Sequence, residues 1–200
     1  MMKKSQLRAI AVSGIMGAIG FVLMMLEFPL SFLIPSFIKF DFSELPALIT
    51  TYTFGPVYGI AVCLIKNLLH LFIGSTSGVG ELSNFLLGAA LVGIAGVVYR
   101  FKRDRKGALL GALAGTAFMA AFSIVSNYYV VYPIYAQFFG GMNNIIMAYK
   151  ALLPAADSLL KCLVIFNLPF NILKGLVDTV LCFLIYKKLS PILKYGNAKK

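Results

Sequence analysis

Charge is scarce in this chain: only 12% of its 200 residues are charged, and just seven are acidic. Soluble domains carry about 25% charged residues, so a water-soluble globular fold is excluded at the outset. Histidine is limited to His70, and cysteine to Cys63, Cys162 and Cys182. One histidine staffs general-base chemistry poorly, and no H-E-x-x-H, G-x-S-x-G or Cys/His dyad accompanies it. The cysteines sit in apolar stretches at spacings no metal site uses, so they read as buried packing residues and no metal is expected. No G-x-x-x-x-G-K-S/T phosphate loop is present. Gly78-Val79-Gly80 is only half of a dinucleotide fingerprint and does not follow a strand pattern. The chain therefore reads as a non-enzyme with no intrinsic cofactor.

What is abundant is apolar length, with 60% of residues hydrophobic. A helix needs about 20 apolar residues to cross a hydrocarbon core of roughly 30 Å. Runs of this kind cover 8–26, 45–53, 56–73, 81–99, 107–132 and 159–186. The expectation is an all-α polytopic membrane protein: six transmembrane helices with an outward-facing pocket, forming one domain over residues 1–200. The second run is short and is split from the third by Phe54-Gly55-Pro56, a turn signal. That pair is two spans, two half-helices or one kinked helix; two spans agree best with the charges. Lys3, Lys4 and Arg8 ahead of an apolar run resemble a signal peptide, but the run continues to Leu26 without a small-x-small cleavage site. It is read as a retained first span.

The net charge of +11 is a statement about orientation rather than nucleic acid. Thirteen of the 18 basic residues fall in segments that share one side when both termini are cytoplasmic. They are Lys3, Lys4 and Arg8, then Arg100, Lys102, Arg103, Arg105 and Lys106, then Lys187, Lys188, Lys194, Lys199 and Lys200. The opposite loops keep only Lys39, Lys150 and Lys161, while Lys66 and Lys174 lie inside spans. The outer segments 27–43 and 133–158 are rich in aromatics and prolines, which suits loops folded over a pocket. No internal repeat is visible.

Polar groups inside a membrane are costly and face a cavity or a partner. Glu81 and Asn84 open the fourth span, Asn127 closes the fifth, and Asn167, Asn171 and Lys174 begin the sixth at spacings of four and three. That spacing puts two amides and an ammonium on one helical face, with Asp178 one turn deeper as the expected counter-ion of Lys174. Lys66, Asn67 and His70 share a face of the third span and read mainly as helix-to-helix hydrogen-bond partners. Ser43 and Glu44 read as a cap for the second span, and Asp41 as either a cap or a ligand contact. In the first span, Ser13 with Gly17 and Gly14 with Ala18 form small-residue pairs that admit close helix approach, whether by a partner or within the chain. Polar residues gathered at one end suit a binding cup better than a channel.

Together, Asp41-Phe42-Ser43-Glu44-Leu45-Pro46, Phe54-Gly55-Pro56, Lys66-Asn67-Leu68-Leu69-His70, Gly78-Val79-Gly80 with Asn84-Phe85, Ser126-Asn127-Tyr128 and Pro169-Phe170-Asn171-Ile172-Leu173-Lys174-Gly175 carry a family resemblance. The chain resembles the riboflavin-binding S component of energy-coupling factor (ECF) transporters, over nearly its whole length. The resemblance implies a subunit of the bacterial cell membrane that captures riboflavin. It implies partners too: a membrane coupling protein and two cytoplasmic ATPases that use ATP. It further implies that the first outer loop closes over the vitamin, and that helix 1 docks through small residues. The family has Ala-xxx-Ala there, whereas this chain has Gly14 and Ala18, flanked by Ser13 and Gly17.

By the same resemblance Asn127, Asn171 and Lys174 are ligand contacts, Asn84 is a further candidate, and Lys39, Phe40 and Asp41 are loop contacts. Riboflavin is neutral, with an apolar dimethylbenzene end, a uracil-like edge and a polyhydroxyl tail. Phe40, Phe42, Tyr128 and Tyr132 are suited to form walls for it, and Lys174 to donate to a ring carbonyl. S components for thiamine, biotin or folate fit less well, since the outer side has few cations and few carboxylates. A small channel or an intramembrane enzyme is the remoter alternative.

Overall fold

A computed structural model describes residues 4–194, with side chains for 4–185. Lys3, Lys199 and Lys200, and the side chains of Lys187, Lys188 and Lys194, invoked above for the charge bias, lie outside the described residues. The elements are α1 (Lys4–Met25), β1 (Phe28–Pro29), β2 (Lys39–Phe40), α2 (Glu44–Phe54), α3 (Pro56–His70), α4 (Val79–Phe101), α5 (Arg105–Ser126), α6 (Tyr132–Phe138), α7 (Met142–Lys150), α8 (Leu159–Cys162) and α9 (Leu168–Lys194). Two π-helical turns, Asn127–Val131 and Leu163–Asn167, join α5 to α6 and α8 to α9.

Among the described residues, four helical stretches are long and apolar enough to cross a membrane: Lys4–Met25, Val79–Phe101, Arg105–Phe138 and Leu159–Ile185. The other two expected spans are shorter, with 11 residues in α2 and 15 in α3. At about 1.5 Å per residue, both fall below a bilayer core of roughly 30 Å. They fold back on each other as an antiparallel pair across Gly55, so that Glu44 at the start of α2 meets Cys63 and Lys66 in the last turns of α3. The φ of 110° at Gly55 lies in the region glycine favours, and Pro56 opens α3 where its missing N–H costs nothing. Nine residues of α2 are buried, because α1, α3, α4 and α9 all pack around it.

Both π-helical turns have a visible cause in the sequence. Pro133 and Pro169 each lie in an apolar helix, where the proline ring meets the carbonyl four residues back. Those carbonyls belong to Tyr129 and Ile165, each at the middle of a π-helical turn, so the widened turn absorbs the clash. Helix therefore continues past Pro133 to Phe138, where the sequence reading ended the span at 132. The insertion also shifts the angular phase of the side chains that follow.

Close packing elsewhere depends on small residues. A side chain at Gly111 or Gly115 would strike the backbone carbonyls of Ala95 and Leu91, so α4 and α5 approach nearly backbone to backbone. Loop 27–43 is tied down by the two-residue ladder pairing Phe28 with Phe40 and Pro29 with Lys39. This ladder departs from the all-helical expectation, being too short to leave an alternating pattern.

The two small-residue pairs of α1 have different surroundings. Ser13 and Gly17 are buried: the Ser13 hydroxyl donates to the Ala9 carbonyl at 2.8 Å, and a side chain at Gly17 would run into Ile65 of α3. They form an internal seam, which corrects their assignment to a partner surface. Gly14 and Ala18 are exposed, and a Cβ at Gly14 would meet nothing within 4 Å.

Candidate functional site

A cavity opens at the end of the bundle where loop 27–43, the α3–α4 connection, the turn from α5 into α6 and the start of α9 meet. Its empty space, open solvent included, amounts to about 900 Å³. Lys39, Asp41, Asn84, Asn127, Asn171 and Lys174 line it, all named from the sequence as ligand contacts. Phe40 and Tyr128, named with them, do not. Phe40 turns away to pack on Phe28, Phe42 and Phe170, because the β ladder fixes which face of the strand it occupies. Tyr128 is 39% exposed and packs edge-on to Tyr129, since it lies in the π-helical turn beside Asn127 and so points elsewhere. Aromatic wall comes instead from Phe37, Tyr132, Tyr135 and Phe170.

Through the lining runs a chain of buried polar bonds that links four helices and loop 27–43. Lys174 on α9 donates to Asp41 Oδ2 at 2.8 Å. The same oxygen accepts from Asn84 Nδ2 on α4 at 3.3 Å, and Asn84 Oδ1 accepts from Lys66 Nζ on α3 at 2.8 Å. Lys66 pairs with Glu44 Oε1 on α2 at 2.6 Å and bonds Ser43 Oγ as well. Lys66 is fully buried and Glu44 is 2% exposed, so each charge requires the other. Ser43 occupies the cap position without capping through its side chain, and Glu44 turns inward to Lys66; both correct the capping assignment.

Lys174 also departs from expectation, pairing with Asp41 rather than Asp178, whose two carboxylate oxygens have no hydrogen-bond partner among the described residues. The reason is helix geometry. Side chains lean toward the N-terminus, so Lys174 reaches up to loop 27–43 and away from Asp178 one turn below. Burial on its own would raise the Asp41 carboxyl, but Lys174, then Lys66 and the Ser43 hydroxyl, hold it well below the usual carboxylate range.

The other charged residues that line the cavity are also paired. Lys39 bonds Glu27 across the ladder, and His70 Nδ1 lies 2.8 Å from Glu81 Oε1, with Thr76 donating to Glu81 Oε2 at 2.8 Å. His70 thus lines the cavity as well as joining helices, a role its sequence context left unassigned. By contrast some amide groups are free. Asn127 Oδ1 accepts from Ser83 at 3.3 Å, which leaves its Nδ2 uncommitted, and the Asn171 amide bonds to no other described residue. Both residues are buried, at 3% and 6% exposure, and both line the cavity. Facing the cavity, they are available to hydrogen-bond a molecule that enters it. Met24, Leu87 and Met119 add an apolar lining that no sequence motif announced.

Comparison with known proteins agrees with this architecture. The family model described as ECF transporter, substrate-specific component matches residues 8–186. The riboflavin transporter RibU of Staphylococcus aureus (strain TCH60) is 37% identical over 187 residues, covering 94% of this chain and 92% of its own length. The riboflavin transporter FmnP of Bacillus subtilis (strain 168) is 37% identical over 191 residues, covering 93% of this chain and 94% of its own. A solved S component of a bacterial ECF transporter superposes with a TM-score of 0.74 at 34% identity, spanning 94% of this chain and 99% of that one. With paired charges, free amides and apolar side chains lining one cavity, on a fold shared over nearly its whole length, this chain belongs to the substrate-specific components of ECF transporters.

Proposed function

We propose that this subunit captures riboflavin and delivers it for uptake by an ATP-driven ECF transporter. The observation that carries the reading is the combination of internally paired charges with free amides at Asn127 and Asn171. A neutral ligand with an edge of donors and acceptors completes such a wall, while a net anion or cation finds no unpaired counter-charge in it. The flavin's uracil-like edge matches Asn127, Asn171 and Lys174, its dimethylbenzene end matches apolar lining or aromatic wall, and its polyhydroxyl tail suits the Thr76, Glu81 and His70 side. Relatives named as riboflavin transporters, at 37% identity, support the same substrate. Titrating purified protein with riboflavin is expected to quench flavin fluorescence to saturation. Saturable binding of thiamine, biotin or folate with no riboflavin quenching would replace the substrate.

In this reading the cavity faces outward, six helical segments traverse the bundle, and both termini are cytoplasmic. Arg100, Lys102, Arg103, Arg105 and Lys106, at the end of the bundle remote from the cavity, support that orientation. Loop 27–43 closes over the vitamin, held by Asp41 and the Glu27–Lys39 pair. The coupling protein docks on the exposed Gly14 and Ala18 face of α1, and the two ATPases act beneath it. Gly14→Trp or Ala18→Trp is therefore expected to abolish cellular uptake while leaving the riboflavin titration of the purified subunit unchanged. Loss of binding in either variant would assign this face to internal packing.

A further inference from the structure

Tyr149, in the 139–158 segment, lies just behind the cavity wall: it is fully buried yet does not line the cavity. Its hydroxyl donates to Asn167 Oδ1 at 2.6 Å, and Asn167 Nδ2 donates to the Tyr132 hydroxyl at 2.9 Å. The Tyr132 and Tyr149 hydroxyls also bond each other, which closes a ring of three. Both other members line the cavity, Tyr132 directly after the first π-helical turn and Asn167 as the last residue of the second. The Tyr149 ring packs edge-on to Phe37, with centroids 6.1 Å apart, and Phe37 is the aromatic that loop 27–43 contributes to the wall. One side chain thus touches three lining residues from three parts of the chain.

The donors of this ring can be counted. Two phenol O–H groups and one amide N–H make three bonds, and reversing the direction of all three leaves the same count. Either way both phenol protons are committed within the ring. What remains is one N–H and one lone pair on the Asn167 amide. At 4% exposure, with no other described partner, that spare donor has only the cavity to serve. Burial pushes the Tyr149 hydroxyl well above its ordinary range, so it stays a donor at any physiological pH.

We infer that Tyr149 is a positioning residue for flavin capture: from behind the wall it fixes the Asn167 amide so that its spare N–H bonds an acceptor of the bound ring system. This rests on the riboflavin reading above and deepens it. It also assigns a role to the 139–158 segment. Helix α7 packs mainly on α6 and α8, and through Tyr149 it braces both π-helical turns and loop 27–43 together.

The test is Tyr149→Phe in the full-length purified protein, which keeps the ring packing and removes the hydroxyl. The riboflavin Kd is expected to rise about tenfold, mainly through faster dissociation, since the amide loses its fixed orientation. The absorption band of the bound flavin is expected to shift relative to wild type. Hydrogen exchange of the Asn167 side-chain amide, assigned by its disappearance in Asn167→Ala, needs no ligand and is expected to be slow in wild type and fast in the variant. Wild-type affinity, absorption and amide exchange in a normally folded Tyr149→Phe protein would overturn the inference. If wild type fails to quench riboflavin fluorescence, the substrate reading fails instead, and the ligand-free exchange measurement still decides whether Tyr149 fixes Asn167. Should the variant not fold, Tyr132→Phe opens the same ring from the cavity side and is read by the same exchange measurement.

Discussion

Lys174→Met is expected to raise the riboflavin dissociation constant by about 100-fold or more. The substitution keeps most of the side-chain volume and removes one charge, which leaves Asp41, 2% exposed, without its closest cation. Breaking a buried pair in this way costs about 3–5 kcal/mol, and each 1.4 kcal/mol is a factor of ten. The loss falls on binding because Asp41 anchors loop 27–43 and Lys174 itself lines the cavity. Two effects are therefore superimposed, the freed loop and the missing donor. Adding Asp41→Asn separates them, since the double variant no longer buries an unpaired carboxylate and is expected to recover loop closure but not full affinity. Fluorescence-quench titration of the single and double variants measures both. Affinity within about threefold of wild type for Lys174→Met would remove this lysine from the site.

The same pair has a pH signature with a definite sign. A carboxyl held below its unfolded value contributes its full stability above the ordinary carboxylate range and loses it as pH falls through the lowered value. Asp41 is such a group, so its anchoring of the loop persists through mildly acidic conditions. The contribution of this pair to wild-type affinity is therefore expected to be the same at pH 5 as at pH 7.

Lys66→Met is expected to act on folding instead. Lys66 does not line the cavity, is fully buried, and bonds Ser43, Glu44 and Asn84 at the junction of α2, α3 and α4. Its loss leaves the Glu44 carboxylate buried beside Cys63, at a cost of about 3–5 kcal/mol. The purified variant is expected to melt well below wild type in detergent. Glu44→Gln combined with Lys66→Met is expected to recover much of that loss, because two neutral groups replace a lone charge. A melting temperature unchanged in Lys66→Met would mean that the Glu44 charge is solvated or neutralised by another route.

The long spans and the polar face of α9 were legible in the sequence because each has a local period. Apolar runs near twenty residues announce α1, α4 and α5, and the spacing of Asn167, Asn171 and Lys174 puts all three on the cavity wall. The spacing of four between Gly111 and Gly115 is an equally local signal for the close approach of α4 and α5, of the small-residue kind read above only in α1. Partner choice was not legible. Asp41 and Lys174 are 133 positions apart, and nothing in either neighbourhood favours that pairing over the nearer Asp178. The facing of Phe40 and Tyr128 depended on a two-residue ladder and a π-helical turn, both too small to leave a period. Pro133 and Pro169 marked where the helices are perturbed, but not that the perturbation re-aims side chains while the helix continues.

Helix α2 obeys a different rule from its neighbours. Enclosed by α1, α3, α4 and α9, it presents almost no surface to lipid. Its composition is therefore released from the demand for greasiness that governs membrane segments. It holds Glu44, Thr50, Thr51 and Tyr52, with Thr50 donating to the Pro46 carbonyl and Tyr52 to the Ala108 carbonyl. Fit in three dimensions takes over as the constraint: a Cβ on Gly59 of α3 or Gly96 of α4 would collide with Thr51. Divergence in this segment should accordingly keep side-chain size and exchange polarity only together with a buried partner, while divergence in α1 should keep polarity and exchange size.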